Sequence, residues 1–302
     1  MDLLTIGEAF DDLVMAGLPR LPRLGEELRV STLSQHPGGG ALITGVGCAR
    51  LGFDVGLISA VSPRTMTRLR EEGVTLVNLR RANEQSAVTV ALSTPDDRAF
   101  VTFDGVNAVL EPRLLGAIAH RRQWPRHVHF ALGPRRCRDW LPVVARLQEK
   151  NVTTSWDFGW HEHLVKDASF EPLLARLDWV FVNEHEAALY ARARDVGSAV
   201  KRWRVMARGT VVKRGARGAL ALTSGSAVAS KPFNVKPVDT TGAGDAFNAG
   251  FLSALLANAP IDRALRLGNY LGAHSTLTAG GVDGLRRRLA LPAWAARILE
   301  AA

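Results

Sequence analysis

The order of strand-like and helix-like segments constrains the fold of this 302-residue chain more than any other feature. Short apolar runs alternate with segments of helical periodicity along most of the sequence. Strands that are connected through helices lie parallel in one sheet, and the helices then cover both faces of that sheet. The pattern therefore predicts an α/β fold with a central, mostly parallel sheet.

The expected elements can be placed on the sequence. Strands are predicted at Leu3–Gly7, Val55–Val61, Thr75–Leu79, His127–Leu132, Thr153–Asp157, Trp179–Asn183 and Thr210–Lys213. Helices are predicted at Ala41–Leu51, Pro63–Glu72, Trp140–Lys150, Glu184–Ala191, Ala243–Leu256 and Asp262–Thr278, and a short one after Pro292. The C-terminal part of the chain thus departs from the alternation and is mainly helical.

Two segments interrupt the alternation. Residues 12–36 form an extended, proline-containing run without helical period, and residues 86–107 contain two strand-like runs that predict a hairpin closed over Thr94–Arg98. We expect these two segments to form a small β lid at one edge of the main sheet. No internal repeat or low-complexity linker marks a second unit, so residues 1–302 are predicted to form a single domain with this lid.

The composition excludes several classes of protein. Hydrophobic residues make up 47% and charged residues 22% of the chain, as in globular proteins and not in disordered ones. The sequence contains neither a membrane-spanning apolar stretch nor a signal peptide, and two cysteines are too few for a disulfide framework, so a cytoplasmic protein without membrane contact is expected. The net charge is +9, but the arginines are scattered and lack interleaved stacking aromatics, which favours a small anionic partner and no nucleic acid.

The residues that most clearly indicate chemistry are Asp239–Phe251, with the sequence DTTGAGDAFNAGF. Gly242, Ala243 and Gly244 precede an apolar helix, and small residues allow the backbone to turn tightly and to direct several N–H groups at one point. The partial positive charge of the helix start adds to them, so an anion-binding site is predicted. Asp245 is placed to accept a hydroxyl proton while the amides hold a transferring phosphoryl group. The alternative is a glycine-rich turn in which Asp245 only caps the helix.

This motif resembles the C-terminal signature of the ribokinase-like (PfkB) carbohydrate kinases, DTxGAGDxFxxG, at every fixed position. The resemblance implies a ribokinase-like fold and transfer of the ATP γ-phosphate to a primary hydroxyl of a sugar or sugar-like acceptor. It further implies that Asp245 is the general base and that the amides of Gly242–Gly244 stabilise the transferred group. The same fold also phosphorylates nucleosides, so a nucleoside kinase is one alternative. A catalytically silent sugar-binding regulatory protein is another.

Other segments resemble family signatures in the same chain order. Gly38 and Gly39 match the N-terminal GG signature, which implies that they cradle the acceptor. Asp12 has the spacing of the acidic residue that contacts acceptor hydroxyls in the family. Arg98 and Asn107 lie in a segment that resembles the lid return of sugar-directed members and are further candidates for acceptor contact. Lid strands of this family sometimes pair between subunits, so the resemblance also raises the expectation of a homodimer.

For the nucleotide, the resemblance points to the second half of the chain. Asn183 and Glu186 match the family motif NxxE, which organises Mg²⁺ around the triphosphate through the oxygen ligands that hard cations prefer. Asp239 and Thr241 resemble a site for a monovalent cation such as K⁺. The remaining candidates for contact with ATP are Lys213, Gly215, Gly218 and Asn269.

Two departures from the family pattern affect the acceptor pocket. Ile43 stands where the GG signature usually has an asparagine, and it cannot hydrogen-bond a hydroxyl. Either the loss of this contact weakens polar recognition of the acceptor by ~1–3 kcal/mol, or the isoleucine reflects a different acceptor. The family also commonly has a GxGxDxxG stretch after the third strand, whereas here the loop near Ser62 runs directly into a helix. We therefore expect an altered acceptor pocket beside an intact phosphoryl-transfer site.

Overall fold

The computed structural model describes residues 1–94, 98–285 and 287–300, apart from the side chains of Arg98, Val196 and Leu289. Its strands are β1 (Leu3–Gly7), β2 (Phe10–Ala16), β3 (Thr32–Gly38), β4 (Val55–Ser59), β5 (Thr75–Asn78), β6 (Val88–Ser93), β7 (Arg98–Phe103), β8 (His127–Ala131), β9 (Thr153–Asp157), β10 (Trp179–Asn183), β11 (Gly209–Lys213), β12 (Ala219–Thr223) and β13 (Ala227–Ser230). Its α-helices are α1 (Gly40–Arg50), α2 (Pro63–Glu71), α3 (Leu110–Ala119), α4 (Leu141–Glu149), α5 (Phe170–Leu174), α6 (Glu184–Tyr190), α7 (Val196–Met206), α8 (Ala243–Leu256), α9 (Ile261–Ser275) and α10 (Ala293–Leu299).

The main sheet has nine strands in the order β13-β12-β11-β10-β9-β8-β1-β4-β5. All pairs from β11 to β5 are parallel, and β12 and β13 add an antiparallel edge. Every residue of β1, β4 and β8 is buried, as expected for strands with helices on both faces. One core cluster includes apolar residues of α1, α8, α9 and α10, and a second includes those of α3 to α7. The predicted α/β fold is confirmed.

Each strand and helix predicted from the sequence is present, with ends that differ by a few residues at most. Strands β12 and β13 and helices α3, α5 and α7 were not predicted. Strands β11 and β12 form a hairpin, in which the Arg214 amide donates to the Gly218 carbonyl at 2.8 Å, and these strands are too short for a clear alternation. Helix α7 contains Gly197 and several basic residues, which weaken its apolar periodicity. Helix α3 does carry a helical signal, because Leu110, Leu114 and Ile118 are spaced by four residues and all are buried.

The second sheet forms the lid and has the order β3-β2-β6-β7. The predicted extended segment and hairpin meet in it, because β2 pairs with β6 in parallel while β2–β3 and β6–β7 are antiparallel. The lid strands begin at Phe10 and reach Gly38, slightly beyond the predicted boundaries. One face of this sheet is packed at Val14 and Ala91, and the register places Asp12 on the same face. The assignment of the chain to a single domain stays a prediction.

A buried ion pair connects the helices beside the lid. Arg50, at the end of α1, donates to both carboxylate oxygens of Glu72 at 2.6 and 2.8 Å, and the two side chains are only 7% and 4% exposed. The same guanidinium donates to the carbonyls of Val282 and Leu285 at 2.6 and 3.1 Å. The pair therefore joins α1 and the end of α2 to the segment that follows α9.

We expect Glu72→Gln to lower the free energy of unfolding by about 3 kcal/mol, because removal of one partner leaves the Arg50 charge buried and uncompensated. Urea denaturation at pH 7 measures this loss. Glu26→Gln is the matched control, since it breaks an exposed arginine–glutamate pair with Arg20 and should change stability little. Equal losses in the two variants would contradict the prediction.

Candidate active site

Helix α8 begins at a backbone turn that requires glycine. Gly242 is the N-cap residue and has φ of +70°, a left-handed conformation that other residues adopt only with strain. A Cβ atom at this position would lie 2.8 Å from both the Gly281 Cα and the Ile43 Cδ1. The turn thus depends on glycine both for its conformation and for its close packing.

Two amides of the first helical turn are available to a ligand. The Ala243 amide donates to the Thr240 carbonyl at 3.2 Å and is therefore already engaged. The amides of Gly244 and Asp245 donate to no residue in the described ranges. Free N–H groups at a helix start form an anion-binding site. Of the predicted binding groups Gly242–Gly244, the Ala243 amide is thus engaged and the Gly244 amide is free, and the Asp245 amide is a further candidate; their binding of a phosphoryl group stays a prediction.

Asp239 fixes the loop that leads into this turn. One of its carboxylate oxygens accepts from the Thr241 amide and hydroxyl at 2.9 and 2.7 Å, and the other accepts from the Gly280 amide at 2.9 Å. Asp239 and Thr241, the predicted monovalent-cation residues, thus lie together. In these contacts they connect the start of α8 to the segment around Gly280. Their binding of a cation remains a proposal.

The Asp245 carboxylate lies half-buried between α8 and the start of α1. Its Oδ1 atom is so close to Gly40 that a Cβ there would be only 3.0 Å away. No hydrogen bond from the described part of the chain occupies this carboxylate. Burial, together with repulsion from the Asp157 carboxylate, raises the pKa of Asp245 to about 7, while Lys213 opposes this shift. A carboxylate with a pKa near neutral is suited to accept a proton from a hydroxyl.

Asp12 approaches the same place from the lid. It is 8% exposed, and its carboxylate packs so closely against Gly38 that any side chain there would collide with it. Gly39 has φ of +97°, and a Cβ there would lie 2.5 Å from the Glu8 carbonyl. Burial is the main cause that raises the pKa of Asp12 to about 7, and repulsion from the Asp245 carboxylate adds to it. The structure therefore brings Asp12, Gly38, Gly39 and Asp245 together between lid and main sheet.

Arg98 and Asn107 are the two other residues predicted to contact the acceptor. The Arg98 side chain lies outside the described residues. Asn107 is buried, and its Nδ2 donates to the Ala9 carbonyl at 3.1 Å, which connects the lid return to the loop after β1. Its Oδ1 has no hydrogen-bond partner within the described ranges. Asn107 therefore retains an unused acceptor beside the predicted acceptor pocket.

The two departures from the family pattern have structural roles. The Ile43 side chain is 2% exposed and packs with its Cδ1 against Gly242 and Gly281. Ser62 caps α2, because its hydroxyl oxygen accepts from the Thr65 amide at 3.2 Å. The hydroxyls of Ser62 and Thr65 both donate to Asp11 in the lid, at 3.0 and 2.7 Å. Ile43 thus supports the turn before α8, and the short loop joins α2 directly to the lid.

A cavity of about 420 Å³ lies beside β3, α2 and the segment after α9. Asp283 closes part of it, because its two oxygens contact His36 at 2.7 Å and Arg68 at 3.1 Å. Its lining includes neither Asp12 nor Asp245, so it lies outside the candidate active site.

Asn183 and Glu186 form a capping box at the start of α6. Glu186 accepts from the Asn183 amide at 2.8 Å and from its Nδ2 at 2.7 Å, while Asn183 Oδ1 accepts from the Glu186 amide at 2.9 Å. Burial and repulsion from Asp157 raise the pKa of Glu186 to about 7. The two predicted magnesium residues therefore hold each other in place, and the Asp157 carboxylate acts on Glu186 as it does on Asp245.

Lys213 lies in a polar network that the sequence did not reveal. Its Nζ is 2.6 Å from Asp157 Oδ2 and 3.4 Å from Asn248 Oδ1, and Asn248 Nδ2 donates to the same Asp157 oxygen at 2.8 Å. A Cβ at Gly244 would lie 3.1 Å from Nζ, so the ammonium is beside the first turn of α8. Asp157 and Lys213 end two strands on either side of β10, and such strand ends meet at one edge of a parallel sheet. The position of Asp157 at the end of a parallel strand could therefore have identified it from the sequence as a candidate site residue.

The remaining nucleotide candidates surround the end of β13. Gly215 has φ of +54° and no atom within 4 Å of a Cβ placed on it, so it faces open space. Gly218, at φ of +81°, packs directly against the Ser230 carbonyl. Asn269 Nδ2 donates to the carbonyls of Ser230 and Lys231 at 3.3 and 3.0 Å. Gly218 and Asn269 therefore meet at β13, and Gly215 leaves room on the same side of the hairpin.

The chain is similar to known proteins in sequence and in fold. A model of the pfkB family of carbohydrate kinases matches residues 2–287. The ATP-dependent ribose-1-phosphate kinase of Halopiger xanaduensis is 33% identical over 271 residues, which cover 86% of each chain. Among solved structures, ribokinase from Thermotoga maritima has a TM-score of 0.78 at 19% identity over 99% of each chain. Adenosine kinase from Sinorhizobium meliloti has a TM-score of 0.78 at 21% identity, covering 100% of this chain and 99% of that one.

The chain therefore belongs to the pfkB family of carbohydrate kinases. The predicted ribokinase-like fold and the predicted activity, ATP-dependent phosphorylation of a sugar, are both confirmed at this level. None of the helices in the described ranges has the length and apolar character needed to cross a bilayer. The cytoplasmic location stays a prediction.

We expect Asp245→Asn to stabilise the protein at pH 8 but not at pH 4. Because the folded pKa of about 7 exceeds the ordinary value of 3.8, the folded state binds more protons between these values, and wild-type stability falls as the pH rises through this window. Asparagine removes that dependence, and a gain of up to about 4 kcal/mol follows from 1.36 kcal/mol per pKa unit. Thermal unfolding at both pH values measures it.

Asp195→Asn provides the control for this measurement. Hydrogen bonds from the Ser198 amide and hydroxyl lower the pKa of Asp195, so its replacement should give no stabilisation at pH 8. A similar gain in both variants, or a gain for Asp245→Asn at pH 4, would show that Asp245 is not strained by ionisation.

Proposed function

We propose that this protein transfers the γ-phosphate of ATP to a primary hydroxyl of a sugar or sugar-like acceptor, with Asp245 as general base. The acceptor oxygen forms a bond to the γ-phosphorus, the bond from that phosphorus to the bridging oxygen breaks, and ADP leaves. The hydroxyl proton passes to Asp245. The observation that carries this proposal is the Asp245 carboxylate, unoccupied by hydrogen bonds from the described chain, beside two free amides of α8.

The acceptor is held on the lid side of Asp245. Asp12 and the backbone at Gly38 and Gly39 bind its hydroxyls, Asn107 Oδ1 accepts one further hydrogen bond, and Arg98 contributes from the lid hairpin. The Halopiger relative is a kinase for ribose 1-phosphate, so phosphorylated pentoses belong beside free sugars and nucleosides in the acceptor panel. The last group tests the alternative of a nucleoside kinase.

The nucleotide is held on the opposite side of the cleft. Lys213 contacts the terminal phosphates, and Gly215, Gly218 and Asn269 border the nucleoside. The described ranges contain no cluster of three or more histidine, cysteine, aspartate or glutamate side chains arranged for a metal ion. Because both carboxylate oxygens of Glu186 accept from Asn183, these two residues would hold Mg²⁺ through water, and the ion would neutralise triphosphate charge. Asp239 and Thr241 would hold K⁺ at the loop before α8.

Asp245→Asn should lower kcat about 10²- to 10⁴-fold, because the substituted amide cannot accept the hydroxyl proton. The KM for ATP should change little, since Asp245 contacts the acceptor and not the nucleoside. ADP release measured across the acceptor panel tests this, with Asp139→Asn, at a surface ion pair with Arg136, as control. Undiminished turnover by Asp245→Asn would refute the general base. Wild-type protein that binds ATP but turns over no acceptor would support the silent regulatory alternative.

We also propose that the protein forms a homodimer through the outer face of the lid. Leu33, Val101 and Phe103 are 62%, 63% and 52% exposed, and the strand register places them on the same face of the lid sheet. Monomeric proteins rarely leave a contiguous apolar sheet face in water. A second copy of the same face would cover these side chains.

Val101→Asp should shift the protein from dimer to monomer at micromolar concentration, because each dimer would bury two carboxylates in an apolar contact. Light scattering coupled to size exclusion measures the molecular mass. Val205→Asp is the matched control, since Val205 is 83% exposed on α7, outside the lid. A wild-type protein that is monomeric at every concentration would refute the dimer.

A further inference from the structure

Three neighbouring strands end in polar residues at the same edge of the main sheet. Asp157 ends β9, Asn183 ends β10 and Lys213 ends β11; in the parallel register Lys213 pairs with Asn183, whereas Asp157 pairs with Phe181, two residues earlier in β10. Asn183 is occupied by its capping box with Glu186. Asp157 and Lys213 instead meet across the end of β10, where their side chains are 11% and 14% exposed and 2.6 Å apart.

Asn248 attaches this ion pair to the helix that carries the general base. It lies on α8 three residues after Asp245 and is fully buried. Its Nδ2 donates to Asp157 at 2.8 Å, while its Oδ1 is 3.4 Å from Lys213 Nζ. The amide thus contacts both charges, and its orientation is set by them. The two strand ends are therefore connected to the first turns of α8 through side chains alone.

The network places a cation where phosphate charge is expected. Lys213 Nζ lies so close to Gly244 that a Cβ at this position would be 3.1 Å away, and the Gly244 amide is one of the two free amides. Burial lowers the pKa of Lys213, but the carboxylates of Asp157, Glu186 and Asp245 raise it above its usual value. The ammonium therefore stays charged beside the anion-binding turn.

We propose that Asp157, together with Asn248, is a positioning residue for phosphoryl transfer, which holds Lys213 Nζ beside the free amides of α8. This inference rests on the proposed function, because it requires the transferred group to bind at that turn. A buried ion pair contributes little to stability by itself, and replacement by apolar residues is often neutral. The position of the pair at the anion site therefore points to a role in the reaction.

The same network affects the ionisation of the general base. Asp245 is faced by Asp12 from the lid, by Asp157 from β9, by Glu186 from α6 and by Lys213 from β11. Removal of the Asp157 charge should make Asp245 more acidic, whereas removal of the Lys213 charge should make it less acidic. A general loss of folding in the variants would not produce opposite shifts.

The experiment compares Asp157→Asn, Lys213→Met and the double variant in steady-state kinetics from pH 5 to pH 9. Asp178→Asn is the matched control, because Asp178 also accepts hydrogen bonds from a strand, at 2.8 and 3.1 Å from Thr154, but lies at the opposite end of the sheet. We expect kcat to fall on the order of 10²-fold in Lys213→Met and by at least 10-fold in Asp157→Asn. The double variant should be no worse than Lys213→Met, since the residues act as a unit.

The pH profile separates positioning from folding. In Asp157→Asn the acidic limb of kcat/KM should move to lower pH, in Lys213→Met to higher pH, and in Asp178→Asn it should stay in place. Asn248→Ala retains both charges and should lower kcat without moving the limb far. It keeps the proposal testable if Lys213→Met does not fold.

Several results would overturn the inference. These are additive losses in the double variant, an unmoved acidic limb in Asp157→Asn, and equal kinetic losses in Asp157→Asn and Asp178→Asn. Normal turnover in Asp157→Asn combined with an inactive Asp245→Asn would refute the positioning role alone. Normal turnover in Asp245→Asn would instead refute the proposed function.

Discussion

The left-handed turn at Gly242 is the constraint on which the rest of the site depends. Because this residue has positive φ, the chain turns sharply into α8, and the amides of Gly244 and Asp245 remain free. The turn is held from three sides, by the carboxylate of Asp239 in the preceding loop, by Gly281, and by the Ile43 side chain beneath it. A single larger residue at Gly242 would displace all of these contacts together.

The electrostatic balance of the site follows from this arrangement. Four carboxylates, those of Asp12, Asp157, Glu186 and Asp245, influence one another, and Lys213 is the cation that contacts one of them directly. Three of the four have pKa values raised to about 7, while Lys213 holds the pKa of Asp157 below its usual value despite burial. The site is therefore electrostatically strained, as functional sites commonly are. Cations that accompany ATP would relieve part of this strain.

The sequence allowed the fold and half of the site to be predicted, for different physical reasons. Most of the parallel strands are rich in apolar residues, so they are recognisable one by one, and Asp245 lies within one continuous motif. Asp157 and Asn248 do not belong to one continuous motif with their partners. Asp157 contacts Lys213, which lies 56 residues later in the sequence, and Asn248, which lies 91 residues later. Only the order of strands in the sheet brings these residues together.

The position of Ile43 changes the meaning of the departure from the family pattern. From the sequence, an isoleucine in place of asparagine meant a lost contact to an acceptor hydroxyl. In the structure its side chain is buried against Gly242 and Gly281, so Ile43 forms part of the apolar support of the turn before α8. In the proposed function, polar selection of the acceptor then falls to the lid side, where Asp12 is buried and Asn107 retains an unused oxygen. The proposed function thereby assigns acceptor specificity and phosphoryl binding to opposite walls of one cleft.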